Sequence, residues 1–397
     1  MIHPLVAISS IILTFAITFG IFMLTPVDVE DYFFISILIL IAIYTLIAMV
    51  RDRDTYWKRR WLQSPIKIIG KYLFWGGFIY VAKITYSSHS FYTQAFSHAE
   101  YFLNFYFNLY LWAGLPYFVL AEKYRYSAKN FLNDPYLRIL SIFRQIARRK
   151  WSSLKRLYRV RAYQTFIISS LLRLHFIPLM VDQIYFTNRD IASSLGENTW
   201  TYTAIVATLT SLVWTIDANN ASIGYFWESV FTKTRFKAMD TNPIHWIITM
   251  ACYMPFTIWA TTFLPALMDH NTAVVHIIDG AWFEVLTDIV GLTFLAGYIS
   301  SGASLYFATS NMTYKAIQTK GPYSLVRHPA TFCKVGFFGI ATFKFSIAYT
   351  AINIFAYLLW TGIYVARTIC EERFLSQFEE YREYKKKTRY RLIPGLW

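Results

Sequence analysis

The sequence predicts an all-α, polytopic membrane protein with about ten transmembrane helices, on three observations. Only 15% of its 397 residues are charged, whereas 56% are hydrophobic and 19% aromatic; a soluble globular chain carries about 25% charged residues. Apolar runs close to the ~20 residues that cross hydrocarbon as a helix recur along the chain. The basic residues, finally, gather between those runs, with 33 of the 38 falling in five segments.

The runs are 4–25, 32–50, 72–88, 101–121, 165–186, 201–226, 244–268, 282–308, 331–347 and 349–367. The first lacks a basic segment ahead of it and a small-residue cleavage pattern after it, so it reads as a retained helix rather than a signal peptide. The third is short and contains Lys83, and the last two share a turn near Ser346–Tyr349. Lys and Arg are retained on the cytoplasmic side. Loops 51–71, 122–164, 228–242 and 309–328 and the tail 367–397 hold 7, 12, 3, 3 and 8 of them, and ten spans put all five segments on one face. The opposite loops hold only Arg189 among basic residues, alongside Asp28, Glu30, Asp31, Asp190, Glu197, Asp269 and Asp279. Both termini are therefore expected in the cytoplasm.

A net charge of +15 would suit a nucleic-acid binder, but the charge sits in loops rather than on one polar domain, so no nucleic-acid partner is expected. The basic and aromatic residues of 148–161 (Arg148, Arg149, Lys150, Trp151, Lys155, Arg156, Tyr158, Arg159, Arg161) suit a helix on anionic lipid headgroups, or an ordinary positive-inside loop. Cys252, Cys333 and Cys370 lie in or beside apolar runs without metal-ligand spacing, and no metal site is expected. Scattered intramembrane polar groups (Arg173, His175, Asp217, Asn219, Asn220, His245, Asp288, Asn353) are functional candidates by their depth, and buried structural pairs such as Arg173 with Asp217 or Asp288 explain them equally well, so no catalytic role is expected of any one of them.

The chemistry concentrates in the last 80 residues. Gly321, Tyr323, Arg327, His328 and Pro329 precede the final pair of spans, and Arg367, Glu371 and Glu372 follow it. His328 and Glu371 are 43 positions apart, about 65 Å along one straight helix. Two spans that go out and return bring both clusters to one surface instead. Arg367 and Glu371, spaced i, i+4, share a helix face and can pair or together clamp a zwitterion. Pro329 favours a helix start just after His328.

The pattern G-x-Y-x-x-x-R-H-P, a short apolar hairpin, R-x-x-x-E-E and a Tyr-rich basic tail with Tyr381, Tyr384, Lys385, Lys386, Lys387 and Pro394 resembles the isoprenylcysteine carboxyl methyltransferases. It is also similar to the related phospholipid and bacterial membrane methyltransferases. The resemblance covers about residues 300–397. It implies an S-adenosylmethionine-dependent enzyme acting on a lipid or lipidated acceptor. It further implies that Tyr323, His328, Pro329, Ala330, Thr331, Glu371 and Glu372 line the cofactor site with Lys315 and Gln318 beside it, and that Arg367 faces the acceptor's reacting group. A sulfonium suits carboxylate and aromatic faces, and methyl transfer asks mainly for orientation and exclusion of water.

The family usually has Tyr two positions after the Pro of R-H-P. Here Thr331 stands there, followed by Phe332, which can fill the same space. Lys334, just inside the membrane, can neutralise an anionic substrate or pair with Glu371 or Glu372. The organisation expected is a transmembrane bundle of eight spans over 1–300 and a methyltransferase-like region over 301–397. Two rivals compete: an NADPH-dependent membrane reductase of the sterol-reductase type, and a non-enzymatic lipid-binding or transport protein that kept the pocket.

Overall fold

The computed structural model describes residues 3–25, 28–51, 65–124, 135–196, 200–227, 235–264, 276–278 and 280–396. Most of loop 51–71, parts of 122–164 and 228–242, and Glu197, Asp269 and Asp279 lie outside them. In chain order the helices are α1 Pro4–Leu24, α2 Val29–Arg51, α3 Pro65–Ser88, α4 Ser90–Ala95, α5 His98–Tyr124, α6 Pro135–Ala147, α7 Lys155–Arg159 and α8 Arg161–Gly196. They continue as α9 Tyr202–Phe226, α10 Pro243–Met250, α11 Ala260–Phe263, α12 Ala281–Leu305, α13 Pro322–Leu325, α14 Pro329–Phe343, α15 Ala351–Leu375 and α16 Glu379–Lys387. β structure among the described residues is limited to two strands of two residues each and one isolated bridge between His276 and Phe345.

Five stretches, Pro4–Leu24, Phe34–Arg51, Arg161–Ser194, Ala281–Ala308 and Ala351–Leu375, are long and apolar enough to cross a membrane, and α14 is a shorter apolar helix. Their faces are inverted relative to a water-soluble core. On α15, Ile352, Phe355, Leu358 and Leu359 are exposed, while Asn353, Thr368, Cys370 and Glu372 are buried. On α12, Trp282, Leu286 and Ile289 face outward and Ser301 and Ser304 inward. Apolar side chains outside and polar ones inside mark helices solvated by hydrocarbon. Several buried hydroxyls bond within their own helices, as Thr18 does to the Thr14 carbonyl (2.6 Å) and Ser301 to that of Gly297 (2.7 Å), which satisfies those donors in an apolar medium. The chain is an all-α membrane protein.

Several expected boundaries change, and the helix expected over 165–186 runs from Arg161 to Gly196. The run 244–268 is not one helix: α10 starts on an Asn242 cap and Pro243 and ends at Met250, and a string of turns leads to the four-residue α11. Pro255 within that string has no N–H to give to a helix ladder. Cys252, Ala260 and Leu264 are instead buried against Phe338, Trp360 and Tyr364. The last helix, α15, runs eight residues past the expected end at 367, so Glu371 and Glu372 are helical. The turn expected near Ser346–Tyr349 is a 3-10 turn over those residues.

Packing groups the chain into two compact units. One comprises Ile12–Phe186 and Ala221–Thr241. Within it α3 and α5 are tied by the stacked Tyr72 and Tyr110, each hydroxyl donating to a carbonyl of the opposite helix. His98, at the start of α5, holds the buried Asp182 of α8 at 2.8 Å. The other unit comprises Met1–Ile11, Thr187–Asn220 and Asn242–Trp397, so the C-terminal hairpin packs with segments from either side of residue 300. There α12 and α14 approach closely through small residues. A Cβ on Gly336 would come within 2.3 Å of the Phe294 ring, and one on Gly297 within 2.7 Å of Cys333 Sγ.

Candidate functional site

The site begins with the turn between α13 and α14. Pro329 occupies the first helical position of α14, where its missing N–H costs nothing, and His328 is the residue before it. The returning tail pairs with this turn along the backbone: Arg327 N donates to the Tyr390 carbonyl at 3.0 Å and His328 N to that of Arg391 at 2.9 Å. Tyr384 Oη adds a 2.7 Å bond to the Tyr323 carbonyl. Further along, Tyr314 Oη donates to Glu380 Oε2 at 2.6 Å, and its ring stacks on Phe378 with centroids 4.0 Å apart. Burial, then the bond to Glu380, pushes the Tyr314 phenol up to about 12. Burial likewise raises Tyr381 and Tyr384. The tail is thus a wall of the site, held by neutral phenols.

Glu372 is the hub of that wall. Its side chain is 3% exposed. It accepts from Arg327 Nε at 2.6 Å and Arg391 Nη2 at 3.1 Å, with Lys385 Nζ 3.6 Å away. Arg327 also reaches the Thr388 and Arg389 carbonyls, so one guanidinium joins the R-H-P turn, α15 and the tail. His328 Nε2 lies 3.3 Å from Glu372 Oε1, near enough for charge attraction but outside hydrogen-bond geometry. Glu372, expected in the cofactor site, is therefore enclosed by cations of the protein itself.

Glu371, one residue earlier, is the open carboxylate. Its side chain is 24% exposed, with His328 Nδ1 4.0 Å from Oε2. Tyr323 is buried in electrostatic range of Glu371, Arg367 and Cys333, and burial raises its phenol. The Tyr323 hydroxyl makes no hydrogen bond to a described residue. The out-and-back hairpin thus brings Tyr323, His328, Pro329 and Glu371 to one end of the α14–α15 pair.

The i, i+4 ion pair between Arg367 and Glu371 does not form. Arg367 bonds to Asn311 Oδ1 and lies 5.7 Å over the Tyr253 ring, and Tyr253 Oη also donates to Asn311 Oδ1, at 3.0 Å. Asn311 and Tyr253 carried no sequence signal. They lie 56 and 114 positions from Arg367 along the chain, and only the folded chain joins them.

The remaining expected residues are placed as follows. Ala330 and Thr331 are on the first turn of α14, next to His328. Phe332 meets Phe294 of α12 edge-on at 5.8 Å, so its ring packs between helices. Lys315 and Gln318 are buried beside the end of α12, donating to the Phe307 and Ser304 carbonyls at 3.2 and 2.6 Å. Those carbonyls belong to a helix end that lacks intrahelical partners. Lys334 turns away from Glu371 and Glu372 and faces Trp214, Tyr298 and Tyr364. Asp217 accepts from Tyr298 Oη at 2.7 Å, Asp288 pairs with Lys344 at 3.1 Å, and Arg173 Nε donates to the Tyr225 carbonyl at 2.9 Å. Among the described residues no group of three or more His, Cys, Asp or Glu is placed to hold a metal ion.

No family model matches the chain. It is similar to the cobalt-zinc-cadmium resistance protein CzcN of Cupriavidus metallidurans, with 35% identity over 114 residues. That stretch is 28% of this chain and spans half the length of the curated relative.

Proposed function

We propose that the chain is an integral membrane methyltransferase that uses S-adenosylmethionine to methylate a lipid or lipidated acceptor. The observation that carries this reading is one end of the α14–α15 pair where a partly exposed carboxylate (Glu371) lies 4.0 Å from an imidazole (His328), beside a buried phenol (Tyr323) that makes no hydrogen bond to a described residue and is in electrostatic range of Arg367. Those groups fit the cofactor. Glu371 would hold its ammonium, His328 its carboxylate, and Tyr323 would offer a ring face to the sulfonium. Bound there, S-adenosylmethionine would supply an electrophilic methyl group.

The protein's own part is positional. Pro329 fixes the turn that aims His328, with Ala330 and Thr331 completing its edge. Glu372 holds the tail shut over the pocket, and Lys315 and Gln318 brace the neighbouring helix end. Arg367 would hold an anionic acceptor. The exposed Arg148, Arg149 and Lys150 together with Trp151 suit attachment to anionic headgroups at the cytoplasmic face.

Binding measurements on the full chain in nanodiscs test the reading. Radiolabelled S-adenosylmethionine should bind, and Glu371→Gln or His328→Ala should weaken it at least tenfold, about 1.4 kcal/mol each. A melting temperature raised by NADPH and unmoved by S-adenosylmethionine would replace methyl transfer with a reductase. The name of the curated relative favours a second reading, handling of cobalt, zinc or cadmium. Equilibrium dialysis against those ions, finding one bound tightly and neither nucleotide cofactor, would establish that instead.

A further inference from the structure

The tail beyond α16 carries an apolar edge that the candidate site does not use. Residues Ile393, Pro394, Gly395 and Leu396 form one tight turn, in which Leu396 N donates to the Ile393 carbonyl at 3.2 Å and Gly395 has a φ of 82°. Proline second and a positive-φ glycine third are the residues that a type II turn favours. The two residues at its ends are apolar and exposed, Ile393 at 41% and Leu396 at 76%. Leu392 is buried, which fixes the outward face of the tail. Tyr390 and Leu325, the last residue of α13, are exposed as well. They are neighbours of the turn, because the Arg327–Tyr390 and His328–Arg391 backbone bonds clamp the tail to the end of α13.

The depth of this edge follows from α15, which is long and apolar enough to cross a membrane. Glu371 lies 20 residues along it from Ala351, about 30 Å at helical rise and equal to the thickness of hydrocarbon. Glu371 and the facing His328 therefore stand at one edge of the hydrocarbon layer, and the tail bonded to His328 follows that edge. The charges around it have one sign. From Tyr384 to Trp397 the sequence has no Asp or Glu, but it has Lys385, Lys386, Lys387, Arg389 and Arg391. Lys385 and Arg391 are drawn to Glu372, and Lys386 pairs with Glu383. Lys387 and Arg389 are exposed, and their side chains make no hydrogen bond or ion pair to a described residue.

We propose that residues 385–396, together with Leu325, anchor the tail in an anionic leaflet. The Ile393–Leu396 turn reaches the acyl boundary, and Lys387 and Arg389 meet lipid phosphates. Apolar burial and pairing of cations with anionic headgroups reinforce each other at this depth, and Tyr390 joins an apolar ring to a polar tip, as residues of that boundary do. A second copy of the chain fits the patch badly, since a two-fold interface would set cations against cations. The same tail holds Tyr384 and Arg391 against Tyr323 and Glu372, so the anchor borders the candidate site.

Power-saturation electron paramagnetic resonance on the full chain tests this, with its own cysteines replaced by Ser or Ala and one nitroxide at 379, 393 or 396. In nanodiscs of phosphatidylcholine with phosphatidylglycerol, labels at 393 and 396 should collide severalfold more often with oxygen than with a water-soluble nickel chelate. The label at 379, on the acidic first turn of α16, should show the reverse. Phosphatidylcholine alone, or Lys387→Gln combined with Arg389→Gln, should lower the oxygen-to-chelate ratio at 396 severalfold. A label at 396 that prefers the chelate in anionic discs places the turn in water, and one shielded from both reagents places it under protein; either result overturns the anchor. An equal ratio with and without phosphatidylglycerol overturns it too. Positions 393 and 396 are read separately, so one labelled chain decides if the other fails to fold. None of these readings involves S-adenosylmethionine, so the anchor stands or falls apart from methyl transfer.

Discussion

Adjacent glutamates have opposite duties here. Glu371 and Glu372 are the same residue type on the same turn, and the sequence offers nothing to tell them apart; the tail decides. Arg327, Arg391 and Lys385 converge on Glu372 and leave Glu371 facing His328. Breaking a buried pair is severe because it strands the partner charge, by about 3–5 kcal/mol. Glu372→Gln, with Arg327 left 6% exposed and uncompensated, should lower the melting temperature sharply. Glu371→Gln should leave melting unchanged and weaken cofactor binding at least tenfold. Thermal melts of both variants in nanodiscs check this; equal destabilisation by the two would refute the division. The motif R-x-x-x-E-E marks the turn of α15 that carries both carboxylates, while the surroundings of each depend on contacts with residues 327, 385 and 391. The same limit applies to Arg367. Its i, i+4 spacing suggested Glu371 as partner, but Asn311 and Tyr253 take the guanidinium through contacts that no local pattern encodes.

Among elements, the closest fit is between α12 and α14. Gly336 meets Phe294 so tightly that a methyl group has no room, whereas the space around Gly362 on α15 is open within 4 Å. Gly336→Ala should destabilise by roughly 1–3 kcal/mol through overpacking. Gly362→Ala should be neutral or gain about 0.5–1 kcal/mol, since Ala loses less backbone freedom than Gly in a helix. Melting of the pair checks the contrast, and a harmless Gly336→Ala would show that the helices are not in contact there. Helix length and the out-and-back hairpin were legible in the apolar runs because length and hydropathy dictate them. The broken run at 244–268 was not. Its hydropathy is that of a span, but Pro255 and the burial of Cys252, Ala260 and Leu264 among α14 and α15 side chains favour turns. Irregular backbone survives at membrane depth where protein rather than lipid surrounds it.

At the scale of the whole molecule, that broken segment governs the topology. The expected charge bias puts the basic loops 228–242 and 309–328 on one face, and on that expectation the chain between them crosses an even number of times. α12 is long and apolar enough to supply one crossing. The segment 243–264 must supply the other despite its turns; if it only dips in and out, every later element changes sides. Three exposed positions decide this. Lys150 precedes α8 and Asp190 is near its far end, 29 residues beyond the first residue of α8, Arg161, about 44 Å at helical rise and more than the ~30 Å of hydrocarbon. Lys386, 73% exposed, follows α15. Single cysteines at 150, 190 and 386, in a chain whose own cysteines are replaced by Ser or Ala, should react differently with a membrane-impermeant maleimide on intact cells. Position 190 should label at once, and 150 and 386 only after permeabilisation. Labelling of 386 together with 190 would mean an odd number of crossings after residue 150. The pocket of Glu371 and His328 would then open away from the cytosol, where S-adenosylmethionine is made, and the proposed chemistry would lose its methyl donor.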